Sequence, residues 1–404
     1  MKLLEVVWNF PDTVMQPFDM YYFYWPVREA VERGWEAEVL TFQVDEQQPR
    51  EEIINGIKIH RCPASNRKGC PLSWDFLHAL FTTNADIIHC HGYGEIRSEL
   101  ALVIGRLRGR KVVFTPHFHV YPHRRPLRDW YDKSIGRAMF QLSHRSLVFT
   151  RYTYQHLRRL GVDAEKISIL PHVSRPEVFQ ESSNTIQDGA LLSHAHVSGS
   201  PLLLGVGQLI ERKGWEYTVR CLPAIVEQFP QTKLLIIGPS QPAEPAFRQH
   251  LLQLAHDLGV EQHLQIIQDN PPAFIRAAYD NATLLTHPSF VESFGIVLLE
   301  AMTVGLPIIA HNGTGIPCIV EDNITGYTVD VRDTSAYTEA LLRVLHNPLL
   351  AQRLGQAGQQ QALTRYSQHV QAERLFALYA ELLGTKIDNN ELQQDQWQAA
   401  QSLL

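Results

Sequence analysis

Cysteine is scarce in this 404-residue chain: there are five, an odd number, and no Cys-x-x-Cys pair. That argues against a disulfide framework and for a reducing compartment. No run of about 18 apolar residues occurs, the length a membrane-crossing helix requires. The opening MKLLEVVWNF has too short an apolar run for a signal peptide and soon meets Pro11, so a cytoplasmic protein is expected. No self-similarity at a period of 20 to 50 residues is visible, which sets solenoids and propellers aside.

What is present is 45% hydrophobic and 19% charged, the composition of a soluble globular protein. The length exceeds one ordinary core and predicts about two domains. The net charge of −6 conceals an asymmetry, because residues 97–175 carry 16 Lys and Arg against 5 Asp and Glu. An excess of +11 in that region points to an anionic partner, either a phosphorylated acceptor or an acidic membrane surface; a basic solvated face is the alternative.

Short β-rich runs alternate with amphipathic segments, the pattern of an α/β protein with parallel sheets. The strand candidates are LLEVVW, EAEVLTF, ADIIHC, KVVFTP and RSLVFT in the first half, then PLLLGVG, KLLIIG, LQIIQ, ATLLTH and LPIIA. Between the halves, the polar, turn-rich stretch from Gln180 to Ser200 reads as a linker. The expected organisation is two doubly wound Rossmann-like domains facing a central cleft, at 1–178 and 200–365. A linker at 179–199 joins them, and 366–404 form a C-terminal helix returning to the first domain, plus a tail. Open sheets of this kind bind ligands outside the carboxyl ends of their strands.

The segment SFVESFGIVLLEAMTVGLPII places Glu292 and Glu300 in an otherwise apolar run. Ser293 as N-cap and Gly305 with Pro307 as stop predict a short buried helix over 294–304. Glu300 then returns to the face of the cap, about 10 Å further along. The two carboxylates bracket a helix N-terminus, whose amides and partial positive charge suit a phosphate. The bland reading is that Glu292 complements the dipole and Glu300 is solvated. Upstream, Arg212 and Lys213 follow the strand PLLLGVG, where a fork and a point charge would neutralise a diphosphate, unless they are merely exposed loop charges.

Taken in order, GVGQLIERKGWE, LLIIGPS, LLTHPSFVESFGIVLLEAMTVGLPIIA and GTGIPCIVEDNITGYTV resemble the donor-binding domain of glycosyltransferase family 4, retaining enzymes of the two-domain GT-B fold. ADIIHCHG, VVFTPHFH and ISILPHVSRPEVF extend the resemblance through the first half. It implies that Glu292, the first acid of a Glu-x7-Glu motif, binds hydroxyls of the donor sugar, and that Glu300 holds the ribose diol. It implies a diphosphate bound by Lys213 and by amides at Phe294 and Gly295. His117 is implied to position acceptor and donor sugar, so Glu292, His117 and Lys213 are the expected catalytic groups. The chain departs from the family where Gln208 replaces its usual arginine, with Arg212 four residues on as a substitute, and at Cys318, where an acid is common.

No Asp-x-Asp pair occurs, so a metal-free diphosphate site is expected, with no cofactor beyond a nucleotide-diphospho sugar as co-substrate. His89, His91, His117, His119 and His123 gather near two strand ends. His89 and His91 share a strand face, but a closed zinc site would need a clear four-ligand pattern, and no metal is expected. His91, His119, Arg124 and Arg125 are expected on the acceptor side, with Arg124, Arg125 and Arg128 beside Trp130 and Tyr131 as a membrane contact. The expectation is a retaining, metal-independent glycosyltransferase, peripheral to the membrane, with an anionic or lipid-linked acceptor and no nucleic-acid partner. The alternatives are a silent sugar-nucleotide-binding protein and a GT-B epimerase or hydrolase.

Overall fold

The structure is a computed structural model that describes residues 1–10, 21–43, 45, 47–63, 73–117, 126–174, 200–239, 244–268 and 272–385. It divides into two compact units, Met1–Pro171 with Gln371–Leu404, and His172–Val370. His119, Arg124, Arg125 and the linker 179–199 lie outside the described residues.

The first unit is built on an eight-stranded sheet in the order β3-β4-β2-β1-β5-β6-β7-β8. Its strands are β1 (Lys2–Val6), β2 (Glu36–Phe42), β3 (Glu51–Ile54), β4 (Ile57–Cys62), β5 (Ile87–His91), β6 (Lys111–Thr115), β7 (Arg145–Val148) and β8 (Ile167–Ile169). All neighbours are parallel except the β3–β4 hairpin. The central strands read as continuous apolar runs because helices cover both faces of a parallel sheet. Val6, Ile88, Cys90, Val112 and Phe114 accordingly lie in one buried cluster. Among the exceptions are Glu5, which is 0% exposed, and His89, which stands opposite it in the β1–β5 register. From the aromatic run Phe18–Trp25, Tyr22, Tyr24 and Trp25 are buried in the core. The final helix, Gln368–Leu383, contributes Phe376 and Tyr379 to this unit, packed against Trp35.

The second unit has a six-stranded, wholly parallel sheet, β11-β10-β9-β12-β13-β14. These strands are β9 (Leu202–Val206), β10 (Lys233–Gly238), β11 (Leu264–Gln268), β12 (Leu284–His287), β13 (Ile308–His311) and β14 (Gly326–Val329). In chain order this is 3-2-1-4-5-6, the doubly wound arrangement whose switch point lies between its first and fourth strands. Here those strands are β9 and β12.

One local expectation is corrected. The helix after β12 is Ile296–Thr303, capped by Gly295 rather than Ser293. Gly295 adopts a left-handed φ of 93°, and a Cβ there would come within 2.9 Å of Leu298 Cδ1. The chain turns at the residue without a side chain, so the serine falls two positions outside the helix.

Candidate functional site

The loops leaving β9 and β12 part at the switch point and are tied to each other by backbone and side-chain bonds. Phe290 N donates to Arg212 O at 2.9 Å, and Arg212 Nη1 donates to Val291 O at 3.2 Å. Gly214, at φ 69°, permits this approach, since a Cβ would stand 2.4 Å from Pro288 O. Across the seam, Lys213 Nζ donates to Glu292 Oε1 at 2.5 Å. His287 Nε2 lies 3.2 Å from the same oxygen. Lys213, Glu292 and His287 are all buried.

A third loop fixes the backbone of Glu292. Its N–H donates to Thr314 Oγ1 at 3.0 Å, and Gly315 N donates to its carbonyl at 3.1 Å. Thr314 itself sits at φ 53°, a conformation a β-branched residue holds only when its surroundings impose it.

The electrostatics follow from this packing. Burial would raise the Glu292 carboxyl, but the Lys213 ammonium and the His287 ring hold it well below the usual carboxylate range. Burial pushes His287 below its ordinary value, favouring the neutral ring. Arg212 Nη2 donates to Gln208 Oε1 at 3.0 Å, so the neutral residue at 208 orients the guanidinium four positions on. Two cations against one carboxylate leave one positive charge, with Glu292 three residues before Gly295 and a helix start that no side chain caps. An anion of two or more charges is the fitting ligand.

Glu300 lies on that helix, 6% exposed, and accepts from Tyr279 OH at 2.7 Å. It is not a solvated helix residue. Phe294 is buried, its ring edge-on to His172 at 5.0 Å and to Tyr366 at 5.9 Å. Burial alone lowers His172 to about 3. Cys318 is half-buried in the short turn Ile316–Cys318. Sequence reasoning assigned nothing to His287 and Tyr279. His287 ends a parallel strand at the switch point, the one signal that could have marked it.

In the first unit, Glu5, His89 and His91 bring ligand-capable atoms within 4.8 Å of one another. Glu5 Oε1 accepts from His91 Nε2 at 2.5 Å and lies 3.4 Å from His89 Nδ1. His91 Nδ1 meets His117 Nε2 at 2.8 Å. His89 is held by Thr115 Oγ1 and Tyr379 OH, each at 2.8 Å. His91, expected to face an acceptor, is instead buried with both ring nitrogens engaged. Arg128 is likewise committed, donating to Asp132 Oδ1 at 3.3 Å and stacking 5.2 Å over Tyr93, while Tyr131 OH donates to Glu99.

A family model described as "Glycosyl transferases group 1" matches residues 192–361, and one described as "Glycosyltransferase Family 4" matches 27–173. A D-inositol 3-phosphate glycosyltransferase of Corynebacterium diphtheriae is 31% identical over 56% of this chain and 53% of its own length. A phosphatidyl-myo-inositol mannosyltransferase of Mycobacterium leprae is 29% identical over 63% of this chain and 61% of its own. The chain thus spans about half the length of the curated relatives it matches first. Among solved structures, sucrose-phosphate synthase from Thermosynechococcus elongatus is similar over 95% of this chain and 99% of its own, with TM-score 0.79 at 21% identity. Anabaena HepE, solved with UDP and glucose, is similar over 94% of this chain and all of its own, with TM-score 0.73 at 15% identity.

Proposed function

This chain belongs to the family 4 glycosyltransferases of the GT-B fold, and from that premise we propose that it is retaining and metal-independent, taking its sugar from a nucleotide-diphospho sugar. The observation that carries the reading is the buried Lys213–Glu292 pair at the β9–β12 switch point, beside Arg212 and the Gly295 helix end.

The chemistry follows from charge. When the bond from the anomeric carbon to the diphosphate oxygen breaks, the electron pair goes to that oxygen and positive charge develops on the sugar. Lys213, Arg212 and the helix amides face the developing anion as fixed dipoles and cations, which lowers the barrier without reorganisation. Glu292 aligns Lys213 and accepts from sugar hydroxyls. Glu300, oriented by Tyr279, accepts from the ribose diol. The acceptor hydroxyl bonds to the anomeric carbon from the face the diphosphate leaves, and its proton passes to the departing diphosphate. Donor anchoring resides in the second unit and acceptor recognition in the first, with His117 as its reacting-side group. The acceptor is an anionic or lipid-linked alcohol, supported by the +11 balance of residues 97–175 and by relatives named for inositol phosphate and phosphatidylinositol. We place the protein in the cytoplasm, at the membrane surface.

Calorimetric titration with a panel of nucleoside diphosphates, then incubation of the matching sugar nucleotide with phosphoinositol acceptors, tests the reading. A glycoside of unchanged anomeric configuration, formed equally in EDTA, is expected. Free sugar or an epimer as sole product, tight binding without turnover, or a strict need for a divalent ion would each overturn it.

A further inference from the structure

A carboxylate in the middle of a buried parallel strand is costly. Glu5 is flanked by Leu4 and Val6 and is fully buried, where an unpaired charge would neutralise instead of staying ionised. Burial does push its carboxyl up, but the charge and hydrogen bonds of His89 and His91 outweigh that and bring it down to about 2. The same burial, together with the neighbouring His89, takes His91 down to about 4. The neutral ring then carries a single proton, and geometry says where. An ionised carboxylate only accepts, so the proton sits on Nε2, 2.5 Å from Glu5 Oε1. His91 Nδ1 is therefore an acceptor, and the His117 nitrogen 2.8 Å away must be the donor.

His117 is itself held in an unusual way. Its φ is 48°, in the left-handed region. Its ring packs against Tyr22 at 4.9 Å, Phe23 at 5.2 Å and Phe149 at 5.2 Å. A non-glycine residue holds this conformation only where its surroundings over-determine it.

We infer that Glu5 and His91 are positioning residues for His117: the carboxylate fixes the tautomer of His91, and His91 in turn holds the His117 ring in one orientation with a proton on Nε2. The inference deepens the proposed function and rests on it for the role of His117 in transfer. Neither Glu5 nor His91 needs to touch a substrate. Their effect is to deliver one protonation form of one ring in one orientation, as a buried carboxylate does for a histidine in other hydrogen-bonded chains.

The test uses the full chain with Glu5→Gln and His91→Gln, read in two ways. Nitrogen NMR of the imidazoles should show His117 as a single Nε2–H form in the native protein and a mixture in both variants. Steady-state transfer should show kcat lowered about 10- to 100-fold with the donor KM within about threefold, because the donor site is untouched. A native His117 spectrum of mixed tautomers, or variants with the native spectrum and kcat, overturns the inference. Should the spectra behave as expected while His117→Ala leaves transfer unchanged, the positioning stands and the assigned role of His117 falls. Elemental analysis closes the remaining route. Stoichiometric zinc in the native protein, lost in Glu5→Gln, would make these residues ligands and overturn the hydrogen-bonded chain.

Discussion

Lys213 and Glu292, 79 residues apart in the chain, meet as a buried pair with Nζ 2.5 Å from Oε1. Removing one member of such a pair leaves an uncompensated charge, which costs about 3 to 5 kcal/mol. Lys213→Met should therefore lower the unfolding midpoint sharply, and Lys213→Met combined with Glu292→Gln should regain much of the loss while leaving transfer abolished. A double variant no more stable than Lys213→Met, by denaturant titration, would contradict a coupled pair.

The two acids should separate kinetically. Glu292→Gln is expected to lower kcat far more than nucleotide affinity. Glu300→Ala should weaken nucleotide binding by about 1.5 to 3 kcal/mol, the loss of charged hydrogen bonds. Tyr279→Phe should give a milder form of the Glu300 effect, since it removes only the hydroxyl that orients the carboxylate. Calorimetry beside steady-state rates checks this, and equal affinity losses for both acids with turnover untouched would contradict it.

Much of this site was legible because the relevant signals are local. KLLIIG and LQIIQ are apolar runs bounded by turns, and both became strands of the second sheet. Glu292, Glu300 and Lys213 stood out as charges in or beside apolar segments. The helix start was misplaced because serine is the commoner cap, and only the backbone reveals that Gly295 is left-handed. Glu5 was invisible for a different reason. In LLEVVW a single glutamate looks like ordinary alternation, and its partner His91 lies 86 residues away. Pairings of that range are made by strand order, which no short window of residues encodes.

Arg212 should carry diphosphate affinity in place of the residue at 208. Arg212→Ala is expected to weaken nucleoside diphosphate binding by about 1.5 to 3 kcal/mol, close to the effect of Lys213→Ala. Gln208→Ala should have a smaller effect, because it removes only the acceptor that orients the guanidinium. Titration with a nucleoside diphosphate and with the bare nucleoside separates the two contributions. An Arg212→Ala protein with native affinity would mean that Lys213 and the helix suffice.

Acid should weaken the second unit through His172. Its folded value near 3 lies below the ordinary 6.5, so the fold prefers the neutral ring. The stability this contributes is complete above pH 6.5 and falls by about 1.4 kcal/mol per unit as pH drops toward 3. His172→Phe, which keeps a ring against Phe294, should flatten that part of the profile. Denaturant midpoints of both proteins at pH 7 and pH 5 measure the difference, and parallel losses would show that other groups govern acid sensitivity.

Arg128 is paired with Asp132, so charge replacement there should do little. Among the described residues of this segment, Leu127, 85% exposed, and Trp130, 62% exposed, on the helix Pro126–Tyr131, are open to an interface. An indole at the headgroup level joins apolar insertion to a hydrogen bond, and nearby basic groups add about 1 kcal/mol each, screened beyond about 8 Å at physiological salt. Co-sedimentation should show binding to anionic but not neutral vesicles, reduced by salt. Leu127→Ser with Trp130→Ser should reduce it severalfold, and Arg128→Gln hardly at all. If the native protein ignores anionic vesicles at low salt, the basic region is a solvated face and the acceptor must be recognised in solution.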